Sequence, residues 1–164
     1  MALAQRRNSP EGGGWKMKVT VLLRNEHEMV KDLFNRFQKG NGRTPNGKQG
    51  LFEEIRREIL LHSQMELEIF YPALAGTPST TVGKLASTAE EEHREIENLL
   101  ESINPQDKLF ETKMDELINA VTAHIEMEEN QIFDEARKNL PEYRLEELGL
   151  EMEERRKILA RIAA

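Results

Sequence analysis

All four histidines of this chain, His27, His62, His93 and His124, fall on stretches that the sequence pattern predicts to be helical. Each lies near the middle of an apolar stripe with the 3.6-residue period of an α-helix. Successive histidines are 35, 31 and 31 residues apart, which is about the length of one helix and one turn. Four consecutive helices would therefore each deliver one imidazole to a common depth of a helical bundle.

Three of these histidines are followed, one helical turn later, by a glutamate: Glu66, Glu97 and Glu128. Residues i and i+4 of an α-helix share one face and lie about 6 Å apart along the axis. Glutamates seldom lie unpaired in a core, and burying imidazoles and carboxylates together is costly unless something compensates them. A pair of transition-metal ions is the compensation that the pattern favours, and imidazole with carboxylate oxygen suits iron, manganese or zinc.

Single residues of this pattern also have ordinary explanations. One buried histidine is more often a satisfied core residue than a metal ligand, and a chain with 30 Asp and Glu residues contains some accidental matches. Glu97, at the edge of its helical stripe, is the most open to that objection. If a third of helical positions face inward, all four histidines would do so by chance in about one case in eighty. The joint pattern therefore favours ligation.

The spacing of apolar residues predicts an all-α fold. Residues 1–16, which include Pro10 and three successive glycines, are predicted to be a flexible N-terminal arm. Four helices are expected at about residues 18–38, 51–74, 81–103 and 108–139, within a domain that spans residues 17–140. Short connections between helices of similar length favour an antiparallel up-down-up-down four-helix bundle.

Residues 141–164 are predicted to form an additional C-terminal amphipathic helix. Its apolar stripe contains Leu145, Leu148, Met152 and Leu159. An isolated helix of this length is marginal in water, so we expect it to dock on the outside of the bundle or to pair with a second chain. The sequence is thus compatible with a monomer or a homodimer, and this segment is expected to contribute no metal ligand.

Length and composition limit the classes of partner and the locations expected for this chain. A chain of 164 residues is expected to be one domain. Its net charge of −7 argues against nucleic acid or an anionic membrane as the main partner. The sequence has no cysteine and no apolar run near the roughly 18 residues of a spanning helix. It begins without the apolar core of a secretory signal, so a cytoplasmic location is the default expectation.

In order and spacing, the histidines and glutamates resemble the hemerythrin-like family of HHE cation-binding domains. That family has a histidine on the first helix, His-x-x-x-Glu on the second, a histidine on the third, and His-x-x-x-Glu or His-x-x-x-x-Asp on the fourth. The resemblance covers about residues 18–140. It implies two non-haem iron ions with an oxo or hydroxo bridge, with manganese or zinc as substitutes. It implies that Glu66 and Glu128 bridge the ions, with His27 and His62 as terminal ligands of one and His93 and His124 of the other.

The third helix departs from the pattern of the oxygen-carrying members of the family. Oxygen-carrying hemerythrins have His-x-x-x-His there, whereas this chain has Glu97 in place of the second histidine. Glu97, another side chain or solvent would then take the place of the missing nitrogen ligand. On the fourth helix, Glu129 would supply the i+5 carboxylate of the alternative pattern, but the phase of the neighbouring apolar residues favours Glu128.

The resemblance implies a protein that binds, senses or reacts with dioxygen, nitric oxide or peroxide, or that handles iron. Because a carboxylate in place of an imidazole stabilises ferric iron, sensing, iron handling or peroxide chemistry is favoured over reversible oxygen carriage. One alternative is a ferritin-like di-iron oxidase, which needs Glu-x-x-His on two helices; this chain has it only at Glu90–His93. The other alternative is a metal-free helical interaction module. No general base or nucleophile is visible beyond the metal ligands, so the residues leave enzymatic activity open.

Overall fold

The computed structural model describes residues 16–40 and 47–163, and these residues form helices joined by short connections, with no strand among them. The predicted all-helical fold class is therefore confirmed. Apart from its last residue, the N-terminal arm predicted at residues 1–16 lies outside the described residues, as do residues 41–46.

Five long helical segments account for almost all of the described chain. Helix α1 is Val19–Gln38. Helix α2 runs as Gly47–Met65, continues through a π-helical turn at Glu66–Phe70 and ends as Tyr71–Ala75. Helix α3 is Thr80–Ser102, helix α4 is Phe110–Met127 followed by a π-helical turn at Glu128–Ile132 and by Phe133–Asn139, and helix α5 is Glu142–Ala163. Within these ranges, no helix combines the length and the apolar character that crossing a membrane would need.

The helix boundaries follow local signals in the sequence. Ser79 precedes α3, and its Oγ accepts a hydrogen bond of 3.3 Å from the backbone N–H of Val82, which satisfies one donor of the first turn. Pro141 precedes α5, and its carbonyl accepts the first backbone hydrogen bonds of that helix. The largest difference from the sequence prediction is in α2, which begins at Gly47 rather than at Leu51. Its first turn has no apolar residue, so hydrophobic periodicity could not reveal it.

The described residues form two apolar clusters in the interior, and each of the first four helices contributes to both. One cluster is built from α1–α4 alone and includes Phe34, Phe37, Phe52, Phe110 and Met114. The other also includes α5 and contains, among others, Leu23, Met65, Phe70, Tyr71, Phe133, Leu148 and Met152. On α1 and α3 the histidine lies between the residues that join one cluster and those that join the other, and on α2 and α4 it lies within one residue of that change. The fold thus places a polar layer between two apolar ones.

Helix α5 packs against α1 and α2 through its apolar stripe, and Leu145, Leu148, Met152 and Leu159 are all buried. The backbone of α5 approaches Met17 closely at Gly149, where an added Cβ atom would lie 2.0 Å from the backbone oxygen of Met17. Only a residue without a side chain fits there. Within the described chain, α5 thus lies against α1 and α2.

Candidate metal centre

Six side chains converge in the polar layer, namely the four histidines with Glu66 and Glu128. All six are buried, and the two glutamates are fully inaccessible to solvent. Their potential ligand atoms form two groups that share both glutamates, and the atoms of each group lie within 4.8 Å of one another. The first group is His27, His62, Glu66 and Glu128, and the second is Glu66, His93, His124 and Glu128. Two sites joined by two carboxylates are the arrangement expected of a pair of metal ions.

The two glutamates lie at equivalent places on α2 and α4, because each is the first residue of a π-helical turn. A π turn contains one more residue than a turn of α-helix. The residue on the same helical face as the glutamate is therefore the one five positions later, not four. On α2 that residue is Tyr71, and on α4 it is Phe133; both are fully buried. Single π turns inside α-helices occur frequently at functional sites.

The first group contains four buried polar atoms without a hydrogen-bond partner. Nε2 of His62 lies 3.1 Å from Oε1 of Glu66, and Nε2 of His27 lies 3.5 Å from Oε1 of Glu128. Among the described residues, these four atoms are the buried side-chain nitrogens and oxygens that make no hydrogen bond. Leaving a buried polar atom unsatisfied costs about 1–3 kcal/mol. Four such atoms facing one point are the donor set of a metal ion, so the residues present fit that ligand.

The second group contains a phenol oxygen in addition to its four ligand atoms. The hydroxyl of Tyr71 donates to Oε2 of Glu128 at 2.6 Å and to Oε2 of Glu66 at 3.2 Å. The same oxygen lies 2.9 Å from Nε2 of His93 and 3.4 Å from Nε2 of His124. Tyr71 is therefore within reach of all four ligand atoms and is itself a candidate donor to a metal at this position.

The first group has no counterpart to that phenol. Phe133 occupies the position equivalent to Tyr71, and its ring stacks on the imidazole of His27 with the ring centroids 5.8 Å apart. A phenyl ring offers no hydrogen bond, which explains why the unsatisfied atoms all belong to the first group. The two halves of the site are thus similar in ligands and different in the aromatic side chain beside them.

Each histidine is held in place through the ring nitrogen that faces away from the cluster. Nδ1 of His62 lies 2.7 Å from Glu26, that of His27 lies 2.8 Å from Glu129, and that of His124 lies 2.7 Å from Glu92. Nδ1 of His93 lies 2.7 Å from the hydroxyl oxygen of Ser63. Carboxylates on Nδ1 fix the tautomer in which Nε2 is free, and they orient the ring toward a metal.

Glu97 lies outside the two groups of ligand atoms that the described residues form. Its Oε1 accepts a hydrogen bond of 3.1 Å from the hydroxyl of Ser63, which in turn contacts His93. The sequence pattern suggested Glu97 as a ligand in place of a missing histidine. The structure instead places it behind His93, at the end of a short hydrogen-bonded chain.

Within the cluster, the pKa values of the two glutamates shift in opposite directions. Burial and the neighbouring charge of Glu66 raise the pKa of Glu128 to about 8. Burial would also raise the pKa of Glu66, but the charge of His62 and hydrogen bonds from the imidazoles outweigh it and hold that pKa well below its usual range. Without metal, the cluster therefore keeps one carboxylate ionised and favours a proton on the other.

The pKa values of the imidazoles also shift in opposite directions. Burial and the neighbouring His62 lower the pKa of His27 to about 2. Burial also acts to lower the pKa of His62 and of His124, but the adjacent glutamates outweigh it and raise these values to about 10 and about 12. Both shifts favour a proton on His62 and on His124 as long as no metal is bound.

A cavity of about 30 Å³ adjoins the imidazoles. It is lined by the four histidines together with Val30, Ile59, Ser63, Ile96, Val121 and Ile125. One water molecule needs roughly 10–15 Å³ on this scale, so the space suits a molecule of a few atoms. Its walls are apolar apart from the imidazoles and one hydroxyl.

Sequence reasoning missed the residues that support the ligands. Tyr71 was overlooked because a regular α-helical phase does not place it on the face of Glu66. Glu26 and Glu92 immediately precede histidines, and Glu129 immediately follows Glu128. An acidic residue next to three of the six inward-facing ones is a visible signal, although only the packing shows that each serves a histidine on another helix.

Comparison with known proteins gives consistent results. The family described as Hemerythrin HHE cation binding domain matches residues 18–136. The crystal structure of a hemerythrin HHE cation binding domain-containing protein from Mycobacterium kansasii is similar in fold, with a TM-score of 0.75 and 24% sequence identity over 87% of each chain.

One curated relative is also similar in sequence. It is a protein named DNA nickase from Nostoc sp. strain PCC 7120, which is 24% identical over 135 residues. The match covers 82% of this chain but only 38% of that protein. The chain thus spans well under half the length of this relative.

Proposed function

Because the chain belongs to the family of hemerythrin HHE cation-binding domains, we propose that it is a non-haem di-iron protein. It would bind, sense or react with dioxygen, nitric oxide or peroxide, or handle iron. The observation that carries this proposal is the set of four unsatisfied buried atoms on His27, His62, Glu66 and Glu128. A metal ion is the ligand that would satisfy all four at once.

In the proposed ligand set, Glu66 and Glu128 each serve both ions. Their Oε1 atoms face the first group and their Oε2 atoms face Tyr71 and the second group. The histidines divide two and two between the ions. Tyr71 is proposed as a further donor to the second ion, while Glu97 acts only through Ser63 and His93. Manganese or zinc are alternative occupants of the same donors.

The scaffold that we propose for this site is an antiparallel four-helix bundle, residues 17–140, with α5 docked outside it. Support comes from the pairing of α1 with α2 and of α3 with α4, which are joined by short connections. A histidine from each of these four helices reaches the same layer. A domain of this architecture places its metal ligands on facing helices.

The proposed small-molecule site is the 30 Å³ cavity beside the imidazoles. Its size suits dioxygen, nitric oxide or peroxide better than a larger organic substrate. An iron pair bound by the adjacent ligand atoms would supply redox chemistry to such a molecule. The chain's own residues would position the ligand atoms and exclude bulk water through Val30, Ile96 and Ile125.

Sensing or peroxide chemistry is favoured over reversible oxygen carriage. A phenolate from Tyr71, in place of the missing imidazole, would stabilise ferric iron more than a neutral imidazole does. Reversible carriage requires the ferrous state to be recovered each time the small molecule leaves. A donor set that favours ferric iron works against that recovery.

The proposal is tested by loading the protein with iron, reducing it and recording its absorption spectrum during separate exposure to dioxygen, nitric oxide and peroxide. We expect a ferric spectrum to develop with at least one of the three. A protein purified from iron-supplemented cells that contains no metal would support a metal-free interaction module instead. Turnover of ferrous to ferric iron in excess of the bound ions would support the ferritin-like oxidase.

A further inference from the structure

The carboxylates that contact Nδ1 of three of the imidazoles differ in their exposure to water. The exposed fraction of the carboxylate side chain is 33% for Glu92, 19% for Glu129 and only 9% for Glu26. Water can solvate the first two carboxylates in part. Glu26, which holds His62, is nearly excluded from water and needs a compensating charge within the protein.

That charge comes from α5. Nη1 of Arg156 lies 2.9 Å from Oε1 of Glu26, and Nη2 of the same guanidinium lies 2.5 Å from Glu58 on α2. Oε2 of Glu26 is the atom that contacts Nδ1 of His62. The two oxygens of one carboxylate therefore join the arginine on one side to the imidazole on the other.

We propose that Arg156 is a positioning residue for His62, acting through Glu26, so that the final helix forms part of the metal centre although none of its residues is a ligand. This inference rests on the proposed metal site. A guanidinium presents its N–H groups in a fixed plane, which lets it hold Glu26 and Glu58 at once. Without it, Oε1 of Glu26 would lose its partner, and nothing on α5 would hold this carboxylate against His62.

The neighbouring Arg155 provides a matched control. It also joins α5 to α2, through hydrogen bonds of 2.6 and 3.0 Å to Glu68. That pair lies at the surface, and neither residue contacts a histidine of the cluster. Replacing Arg155 therefore removes an ion pair between the same two helices and leaves the Arg156–Glu26–His62 chain intact.

The test compares R156Q with R155Q in the full-length chain. The affinity for Fe²⁺ is measured by competition with a chelator, and thermal unfolding of the metal-free proteins shows the loss of helix docking. Residues behind a metal ligand typically contribute 10–100-fold in affinity. We expect R156Q to lower the affinity about tenfold, within that range, and R155Q to leave it nearly unchanged. Equal effects of the two substitutions on affinity would overturn the inference.

The route through Glu26 is tested by a double-mutant cycle. If Arg156 acts through Glu26, E26Q lowers the affinity and R156Q adds no further loss in the E26Q background. Additive losses would show that the arginine acts by another route and would contradict the proposal. R156K, which keeps the charge but loses the planar fork, should lie between wild type and R156Q, and it serves if R156Q fails to fold.

A second readout needs no metal. With ¹⁵N-labelled histidine, the Nδ1–H resonance of His62 in the metal-free protein should shift in R156Q and E26Q but stay in place in R155Q. An unmoved resonance in R156Q would overturn the positioning role. A wild-type chain that binds no iron would instead refute the proposed function, so the two failures are distinguishable.

Discussion

At the scale of single residues, the cluster holds protons where it is proposed to hold metal. The raised pKa values of His62 and His124, about 10 and about 12, favour a proton on each imidazole at neutral pH, and the raised pKa of Glu128, about 8, favours a proton on its carboxyl group. Metal ligation requires a free Nε2 and an ionised carboxylate. The proton and the metal therefore compete for the same atoms.

This competition predicts a pH dependence with a definite sign. The metal-free state binds more protons than the metal-bound state, so raising the pH favours metal binding. We expect more than one proton to be released per chain at pH 7, and affinity to rise steeply between pH 6 and 8. Calorimetric titration in buffers with different heats of ionisation measures the release. An affinity that does not change with pH, with no proton released, would contradict the electrostatics described here.

Tyr71 makes the two halves of the site distinguishable. If its phenol binds the second ion, the ferric protein should show the visible charge-transfer band of a phenolate ligand, and Tyr71→Phe should abolish that band. Tyr143→Phe is the control, since Tyr143 is 65% exposed. Absorption and resonance Raman spectra of the three proteins make the comparison. A spectrum that Tyr71→Phe leaves unchanged would limit this phenol to hydrogen bonding.

At the scale of helices, regular periodicity predicted most of the site. The inward phase of His27, His62, His93 and His124 follows from the apolar residues three and four positions away, and all four are buried as expected. Glu66 and Glu128 followed from the same phase. The two π turns could not be predicted in this way, because a single added residue leaves the surrounding apolar pattern almost unchanged. Tyr71 was missed for that reason.

Glu97 is placed differently from the other two glutamates. On the sequence it shares with Glu66 and Glu128 the position one turn after a histidine. No π turn begins at Glu97, and its helix continues as a regular α-helix. The side chain stays half-buried at the edge of the bundle and contacts Ser63. Spacing alone cannot separate a ligand from a supporting residue.

The docking of α5 depends on close backbone contact at Gly149. Gly149→Ala would place a methyl group against the backbone of Met17, so we expect destabilisation of about 1–3 kcal/mol or more from overpacking. Gly83 on α3 is the matched control, since a Cβ there meets nothing within 4 Å. Gly83→Ala should be neutral or stabilising by up to about 1 kcal/mol. Urea unfolding of the metal-free variants measures both, and equal effects would contradict this docking.

At the scale of the whole molecule, metal binding should be coupled to folding. The bundle has a layer of six ionisable side chains between two apolar clusters, and metal that binds only the folded state adds stability by linkage. At free metal one hundred times above the dissociation constant, the gain is about 2.7 kcal/mol. We expect the iron-loaded protein to unfold at a higher temperature than the metal-free one. Coincident unfolding curves, recorded by circular dichroism, would contradict this coupling.

The division of the chain into a site and a scaffold is less sharp than the sequence indicated. The C-terminal helix was expected to contribute no ligand, and among the described residues none of its side chains belongs to either group of ligand atoms. Through Arg156 it nevertheless supports Glu26, and thereby His62. That connection joins residues far apart in the chain, which no local pattern could reveal.

The central claim is that Glu66 and Glu128 together hold two metal ions, and metal stoichiometry tests it most directly. Iron per chain is measured by elemental analysis in the wild type, Glu66→Ala and Glu97→Ala. Both substitutions remove a glutamate one turn after a histidine. We predict two ions in the wild type and in Glu97→Ala, and a loss of iron in Glu66→Ala. One ion or none in the wild type, or full occupancy in Glu66→Ala, would contradict the account.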